Sequence, residues 1–519
     1  MLFNSPEFLF VFLPAVILGF LLLQKFGFHT GQIRFLVVVS LIFYGWWNWQ
    51  LLALLVGSVI ANYIFASYLM QRRRRVVLIV AIAANLAALA WFKYAHFLAD
   101  TVNQVTSTTI DLGDIALPLA ISFFTFQQIA YLVDIHLGLT SERSFSRYAL
   151  FVVFFPQLVA GPIVHHSEML PQFRSKALKI NTENLSIGLT IFAVGLFKKV
   201  MIADSVGVYS DLVFSSAAHG TPITMLTAWF GVASFALEIY FDFSGYSDMA
   251  IGLARIFGVR LPINFNSPYK ATSIIDFWQR WHITLSRFLR DYLYVPLGGN
   301  RKGSSRRYIN IMIVMLIGGL WHGAAWTFVF WGALHGAFIA INHIWRAIRR
   351  KLLPSDFTLG WFGVFISRAL TLVAVLFAWT YFRAESWESA GIIASGLVGL
   401  NGFFLPESYE ILLGANAPLF QSLGVTFGVE PDAEAYPTLE RLLTVAGIFA
   451  ATLCLPNTLE WMKNFKPALA EIQTTTRSLP KWVLWKPNTL TGLVTAVLLL
   501  VSFSTFLTAD QNAFIYFQF

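Results

Sequence analysis

Charge is what this sequence has least of: Asp, Glu, Lys and Arg together make up 12% of its 519 residues, about half the share usual in soluble globular domains. With 57% hydrophobic residues and a mean hydropathy of +0.65, the deficit excludes a soluble domain of useful size. Cysteine is nearly absent. Cys454, alone in the apolar run LTVAGIFAATLCLP, excludes an internal disulfide and a multi-cysteine metal site and argues against a thiol nucleophile. The opening MLFNSPEFLFVFLPAVILGFLLLQ lacks a basic n-region and a small-residue cleavage pattern, so it reads as a retained first helix. H-E-x-x-H and G-x-x-x-x-G-K-[ST] patterns are missing, as are fixed-period repeats and low-complexity tracts.

What is present is a succession of apolar runs near the roughly 20 residues that a bilayer crossing demands. Candidate spans fall at 8–24, 35–49, 51–70, 76–98, 115–134, 148–164, 185–208, 222–241, 309–324, 325–345, 361–382, 388–404, 441–456 and 487–508. They form one all-α polytopic integral membrane domain over 1–519, with N-terminal helices (1–241), a central block (242–345) and C-terminal helices and loops (346–519). The net charge of +9 would suggest nucleic acid in a soluble protein; here the positive-inside rule accounts for it, and no nucleic-acid partner is expected.

Arg72, Arg73, Arg74 and Arg75 mark one cytoplasmic loop. Arg301, Lys302, Arg306 and Arg307 mark a second, and Arg346, Arg349, Arg350 and Lys351 a third. An even number of crossings must separate the last two, so 309–345 reads as a hairpin turning near His322 to Trp326. The basic 457–486 loop then leaves the C-terminal tail outside. The acidic segment with Glu407, Glu410, Glu430, Asp432, Glu434 and Glu440 is not assigned a side.

From about 242 to 307 the spanning pattern breaks. Ile274, Phe277, Trp278, Trp281, Leu285, Phe288 and Leu289 recur at helical spacing, with Arg280, Thr284, Arg287 and Asp291 opposite. Two readings fit this amphipathic helix: an interfacial helix whose arginines snorkel, or a cytosolic vestibule that meets a phosphorylated substrate. His282 sits at the edge of the stripe, one turn from Trp278 and Ser286. Asp242 and Asp248, about 240° apart on a helix, are a poor carboxylate pair; Asp242 or Ser244 would cap the next helix, and Asp248 is open to either a structural or a functional role. Lys198 and Lys199 interrupt an apolar run and mark either a pairing site or a membrane boundary.

GGLWHGAAWTFVFWGALHGAF, residues 318–338, carries His322 and His335 in hydrocarbon. Thirteen residues apart, about 220° around one helix, they are no metal pair, and no metal is expected. A neutral buried imidazole suits a general base; a packed histidine donating to a backbone carbonyl suits the residues equally. The small residues Gly318, Gly319, Gly323, Ala324 and Ala325 allow either a narrow channel or close helix packing.

Taken together, FDFSGYSDMAIGLA, the NFNSPY turn, FWQRWHITLSRFLRDYLY, LGGNR, the block at 318–338 and the terminal FIYFQF resemble the bacterial membrane-bound O-acyltransferases. The resemblance is to the branch containing the alginate O-acetyltransferase membrane subunit and related polysaccharide O-acetyltransferases. It implies a ring of tilted helices around a thinned centre, pierced by a tunnel. It makes His322 the catalytic histidine and places His282 in the same tunnel. It implies a cytosolic thioester donor such as acetyl-CoA, no permanently bound cofactor, a periplasmic acetyltransferase partner and a bacterial inner-membrane location.

On that reading His322 acts as general base. His282 would bind donor or acceptor, or stabilise charge on the carbonyl oxygen. Trp278, Arg280, Trp281, Ser286, Arg287, Arg290, Asp248, Trp321 and His335 are weaker donor- or substrate-binding candidates. Neighbouring readings are a D-alanyl transferase and a lipid O-acyltransferase. The rival from another class is a transporter or flippase gated by His322, which would not cleave a thioester.

Overall fold

The structure, a computed structural model, describes residues 1–46, 48–175, 178–352, 360–428, 435–469, 480, 482–505 and 514–515. Glu430, Asp432 and Glu434 of the acidic segment lie outside the described residues, as do the last four residues of FIYFQF. The fold is all-α, as the sequence implies: the chain is three-quarters helical. Its one described sheet is a parallel pair, Phe403–Pro406 with Val425–Gly428.

Among the described residues, seven helices are long and apolar enough to cross a membrane: Glu7–Lys25, Trp49–Gln71, Arg75–Thr106, Thr182–Ala218, Met225–Ile256, Trp326–Leu352 and Trp361–Arg383. Helices satisfy their own backbone groups, which hydrocarbon cannot do. The protein is a multi-pass membrane protein.

Its centre is Met225–Ile256, the helix with the most buried apolar window, 78%. Thr182–Phe197 lies against it through glycines. A Cβ on Gly195 would stand 2.6 Å from the carbonyl oxygen of Gly245, and one on Gly188 equally close to that of Gly252. Small residues at such crossings let two backbones touch. Along this seam Lys199 Nζ pairs with Asp242 and Asp204, both at 2.8 Å, and Lys198 Nζ with Asp248 at 2.6 Å. The Thr458 hydroxyl also donates to Asp248, at 2.6 Å. The backbone N–H of Ile515 donates to Asp242 at 2.8 Å, fastening the C-terminal segment to the core.

Four sequence expectations need correction. The central helix runs on to Ile256, so Asp242 and Ser244 are helix interior and not caps; the lysines at 198–199 neutralise the aspartates that make 242–248 look like a boundary. The 148–164 stretch is no span: helix Phe145–Val153 ends at Phe154, and Pro156 opens a separate turn, where its missing N–H costs nothing. The helix in 388–404 is Trp387–Leu397, and its 11 residues reach only about 16 Å. The amphipathic helix is two pieces, Ile274–Trp278 and Ile283–Leu289, and Thr284 faces inward: its hydroxyl donates to Asn264 Oδ1 at 2.8 Å.

The hairpin is found where the basic clusters require it, Gly303–His322 turning through 323–325 into Trp326–Leu352. Its glycines serve close packing. A Cβ on Gly319 would collide with the carbonyl of Phe328, and one on Gly332 with that of Met315.

On the arginine-rich face, the loop after Ile121–Leu137 folds around Glu142. Its carboxylate accepts from Arg147 at 2.9 Å, from Arg174 at 2.8 Å and from the Ser144 backbone N–H at 2.8 Å. Burial works to raise this carboxyl, but those hydrogen bonds outweigh it and hold the group below the ordinary carboxylate range. A depressed folded value stabilises the protein above the unfolded value of about 4.3, and that stability is lost as pH falls through the folded value. In thermal melts of detergent-solubilised protein from pH 7 to 4, Glu142→Gln should therefore lower the midpoint at pH 7 and flatten the acid-side decline.

Candidate active site

The Gly303–His322 helix stops abruptly at its histidine, leaving its last carbonyls without intrahelical donors. The Arg75–Thr106 helix supplies them. Tyr94 Oη donates to the Leu320 carbonyl at 3.0 Å, and Lys93 Nζ donates to the carbonyls of Trp321 at 2.5 Å and His322 at 3.2 Å. Lys93 lies 18 residues past Arg75 and His322 lies 19 past Gly303. Both are therefore about 27–28 Å along their helices from the arginine-rich face.

His322 is 3% exposed, and its ring is walled by Trp321, Trp331 and Phe382 at centroid distances of 4.8, 5.1 and 5.2 Å. His282, wholly buried, faces it with ring centroids 6.3 Å apart. The backbone at His282 is left-handed, φ +43°, which a β-carbon residue adopts at a cost of roughly 1–2 kcal/mol. Asn264 holds it there. Its carbonyl accepts the Ile283 N–H at 2.9 Å, and its side-chain oxygen meets Thr284 Oγ1 at 2.8 Å and His282 Nδ1 at 3.2 Å.

These contacts fix the imidazole's proton. Asn264 Oδ1 can only accept, so Nδ1 of neutral His282 carries the hydrogen and Nε2 presents a lone pair. Nε2 is buried with no hydrogen-bond partner among the described residues.

The other sequence candidates are distributed around this pair. Trp321 packs against both rings, 5.8 Å from His282. His335 is separated from His322 by Trp331, 4.7 Å away, and accepts from Trp278 Nε1 at 3.3 Å. Trp281 stacks behind, on Phe277 at 5.7 Å and close to Trp379 at 5.0 Å. Ser286 Oγ is buried without a hydrogen-bond partner among the described residues. Arg280 pairs with Asp276 at 2.7 Å, Arg287 Nη2 with Glu168 at 2.8 Å, and Arg290 with Asp291 at 2.7 Å. Asp248 belongs to the ion-paired seam with Lys198.

Two cavities bear on this pair. A small one of about 60 Å³ is lined by Lys93, Pro118, Ser122, Phe123, Trp321 and His322. A larger one of about 850 Å³ is walled by apolar residues including Phe126, Phe288 and Leu289, and reaches Val295 and Pro296 beside the basic loop. Phe126 stacks on Phe288 at 4.3 Å and on Trp321 at 5.7 Å, closing the larger cavity off from His322.

At the polar end of that cavity sits a cluster that the sequence did not suggest. Ligand-type atoms of Asp134, His165 and His166 lie within 4.8 Å of one another. Asp134 Oδ2 meets His166 Nε2 at 2.6 Å, His165 Nε2 at 2.8 Å and Tyr292 Oη at 2.6 Å. His165 Nδ1 accepts the Ser167 N–H at 3.3 Å, so its Nε2 is the protonated nitrogen and acts as a donor to Asp134. Hydrogen bonding accounts for this convergence.

Sequence reading also missed Lys93, Tyr94 and Asn264. Lys93 interrupts the apolar run AALAWFKYAHF, which was signal enough. Asn264 heads NFNSPY, whose tertiary role no local pattern reveals.

The description "MBOAT, membrane-bound O-acyltransferase family" matches residues 140–382. The chain is 44% identical over 436 residues to the peptidoglycan O-acetyltransferase of Helicobacter pylori, covering 78% of this chain and 81% of that protein. It is 34% identical to the probable alginate O-acetylase AlgI of Pseudomonas aeruginosa over the full length of both. The teichoic acid D-alanyltransferase of Bacillus subtilis is 27% identical over 46% of this chain and 62% of that protein. The chain belongs to the membrane-bound O-acyltransferase family. It is an acyltransferase.

Because the Asn264 side chain holds the ring of His282 and the hydroxyl of Thr284 that follows it, Asn264→Ala should reduce acyl transfer by native-host membranes about tenfold or more. Immunoblotting should show a protein level near wild type.

Proposed function

We propose that this protein O-acetylates an extracytoplasmic glycan from the bacterial inner membrane, drawing acetyl groups from cytosolic acetyl-CoA. The observation that carries the reading is the His282–His322 pair, its rings 6.3 Å apart, with His322 lining a small cavity together with Lys93. The chain's similarity to a peptidoglycan O-acetyltransferase and to a probable alginate O-acetylase supports it.

His322 takes the proton of the acceptor hydroxyl as that oxygen attacks the thioester carbonyl. It then returns the proton to the departing thiolate. A positioned base of this kind contributes about 10²–10⁴-fold. With its lone pair on Nε2, neutral His282 is an acceptor for another donor group of the substrates, since the single hydrogen of the attacking hydroxyl goes to His322; it does not supply a donor to the carbonyl oxygen. The acetyl group reaches the glycan directly or through a periplasmic acetyltransferase partner.

Two glycans are in question. The higher identity to a peptidoglycan O-acetyltransferase favours peptidoglycan strands over an alginate-like exopolysaccharide.

The test compares wild type with His322→Ala in the native host. Base-labile acetate is measured separately on lysozyme-resistant peptidoglycan and on exopolysaccharide, with protein level followed by immunoblot. Acetate should fall to background on one of the two polymers, which identifies the acceptor. Acetate persisting on both at a normal protein level would overturn the reading.

A further inference from the structure

We propose that Lys93 is a catalytic residue of the acyl-transfer step: its ammonium, held at the broken end of the Gly303–His322 helix, donates a hydrogen bond to the acyl carbonyl oxygen as negative charge develops there. This rests on the acyl-transfer reading above and assigns it a group that the histidine pair does not provide.

Lys93 sits inside a membrane-spanning helix, and no carboxylate among the described residues lies within ion-pair range of it. A cation placed so is a functional-site hypothesis by default. An ammonium carries three N–H groups. Two are directed at the carbonyls of Trp321 and His322, so the third remains for the cavity that Lys93 lines together with His322. The Trp321 ring, 5.9 Å from Nζ, steadies the charge from one side. The cavity, about 60 Å³, has room for a few water-sized groups.

The chemistry requires such a donor. The acceptor oxygen bonds to the thioester carbon, the carbonyl π pair moves to oxygen, and His322 receives the hydroxyl proton. The oxyanion then re-forms the carbonyl, the C–S bond breaks, and the thiolate leaves with the proton from His322. Lys93 keeps all its protons throughout. Within the small cavity it is the one cationic side chain, and His282, an acceptor at Nε2, cannot take its place. Loss of one oxyanion donor costs about 10²–10³ in kcat.

Capping alone would also explain the two carbonyl contacts, and Tyr94 separates the alternatives: it caps Leu320 at 3.0 Å but does not line the cavity. The experiment measures coenzyme A release from acetyl-CoA by native-host membranes containing wild type, Lys93→Met, Lys93→Arg, Tyr94→Phe or His322→Ala. Lys93→Met should lower kcat about 10²–10³-fold, with KM for acetyl-CoA within about threefold of wild type. Lys93→Arg should recover at least a tenth of wild-type kcat, and Tyr94→Phe should stay within a few-fold.

If Lys93→Met fails to accumulate, Lys93→Gln, which retains donors for both carbonyls but no charge, carries the same expectation. Wild-type kcat in Lys93→Met or Lys93→Gln, beside an inactive His322→Ala, would overturn this inference and leave the acyl-transfer reading intact. Equal losses in Tyr94→Phe and Lys93→Met would reduce Lys93 to a helix cap. Full release by His322→Ala would remove the acyl-transfer reading and this inference with it.

Discussion

Hydrocarbon offers no solvent to a charge or to an unpaired carbonyl, so each one buried in this protein must be met by another part of the chain. The two places where that demand is greatest organise the fold. One is the glycine seam between Thr182–Ala218 and Met225–Ile256, where Lys198 pairs with Asp248, and Lys199 with Asp204 and Asp242. The other is the end of Gly303–His322, where Lys93 and Tyr94 meet three open carbonyls. The first fixes the long central helix as a rigid spine. The second allows a helix to end deep in the protein with a histidine as its last residue.

The glycines follow from the same constraint. An interhelical contact in lipid gains little from hydrophobic burial and much from close approach. Gly319 and Gly332 bring the two hairpin arms close enough that a methyl group on either would strike a backbone carbonyl of the other arm. That approach fixes Trp331 at 5.1 Å from His322, so packing and site geometry come from the same residues. Of the two readings the sequence left open for the glycines around His322, close packing accounts for Gly319. Gly318, whose added Cβ would find Leu289 at an ordinary 3.4 Å, is not required in that way.

Much of this was legible in the sequence because it depends on composition and local order. Apolar length gives seven of the fourteen candidate spans as helices long enough to cross, the three basic clusters give the hairpin, and the ordered motif blocks give the family. What was illegible depends on tertiary partners. Asp242 reads as a helix cap until Lys199 is placed 2.8 Å away, and only then can a 32-residue helix pass through it. The periodicity from Ile274 to Leu289 is real, yet a left-handed residue at His282 breaks the helix, because Asn264, 18 positions earlier, binds both the ring and the backbone that follows it. Arg280 and Arg287 look free for phosphate in a linear reading, whereas folding gives each a carboxylate.

The arrangement of the cavities bears on how an acyl group could cross. The larger cavity runs from near the basic loops to Phe126, and Phe126 stacks on Trp321, which lines the smaller one together with His322 and Lys93. On the proposed reading, donor and acceptor approach from opposite faces and meet across the Phe126–Trp321 stack. Trp321 is the residue before His322 and its carbonyl is held by Lys93, so its backbone is fixed and any opening must come from side-chain rotation. A seal made by stacked aromatic side chains beside the reacting atoms can admit a thioester carbonyl while keeping bulk water away, which is what transferring an acyl group without hydrolysing it demands.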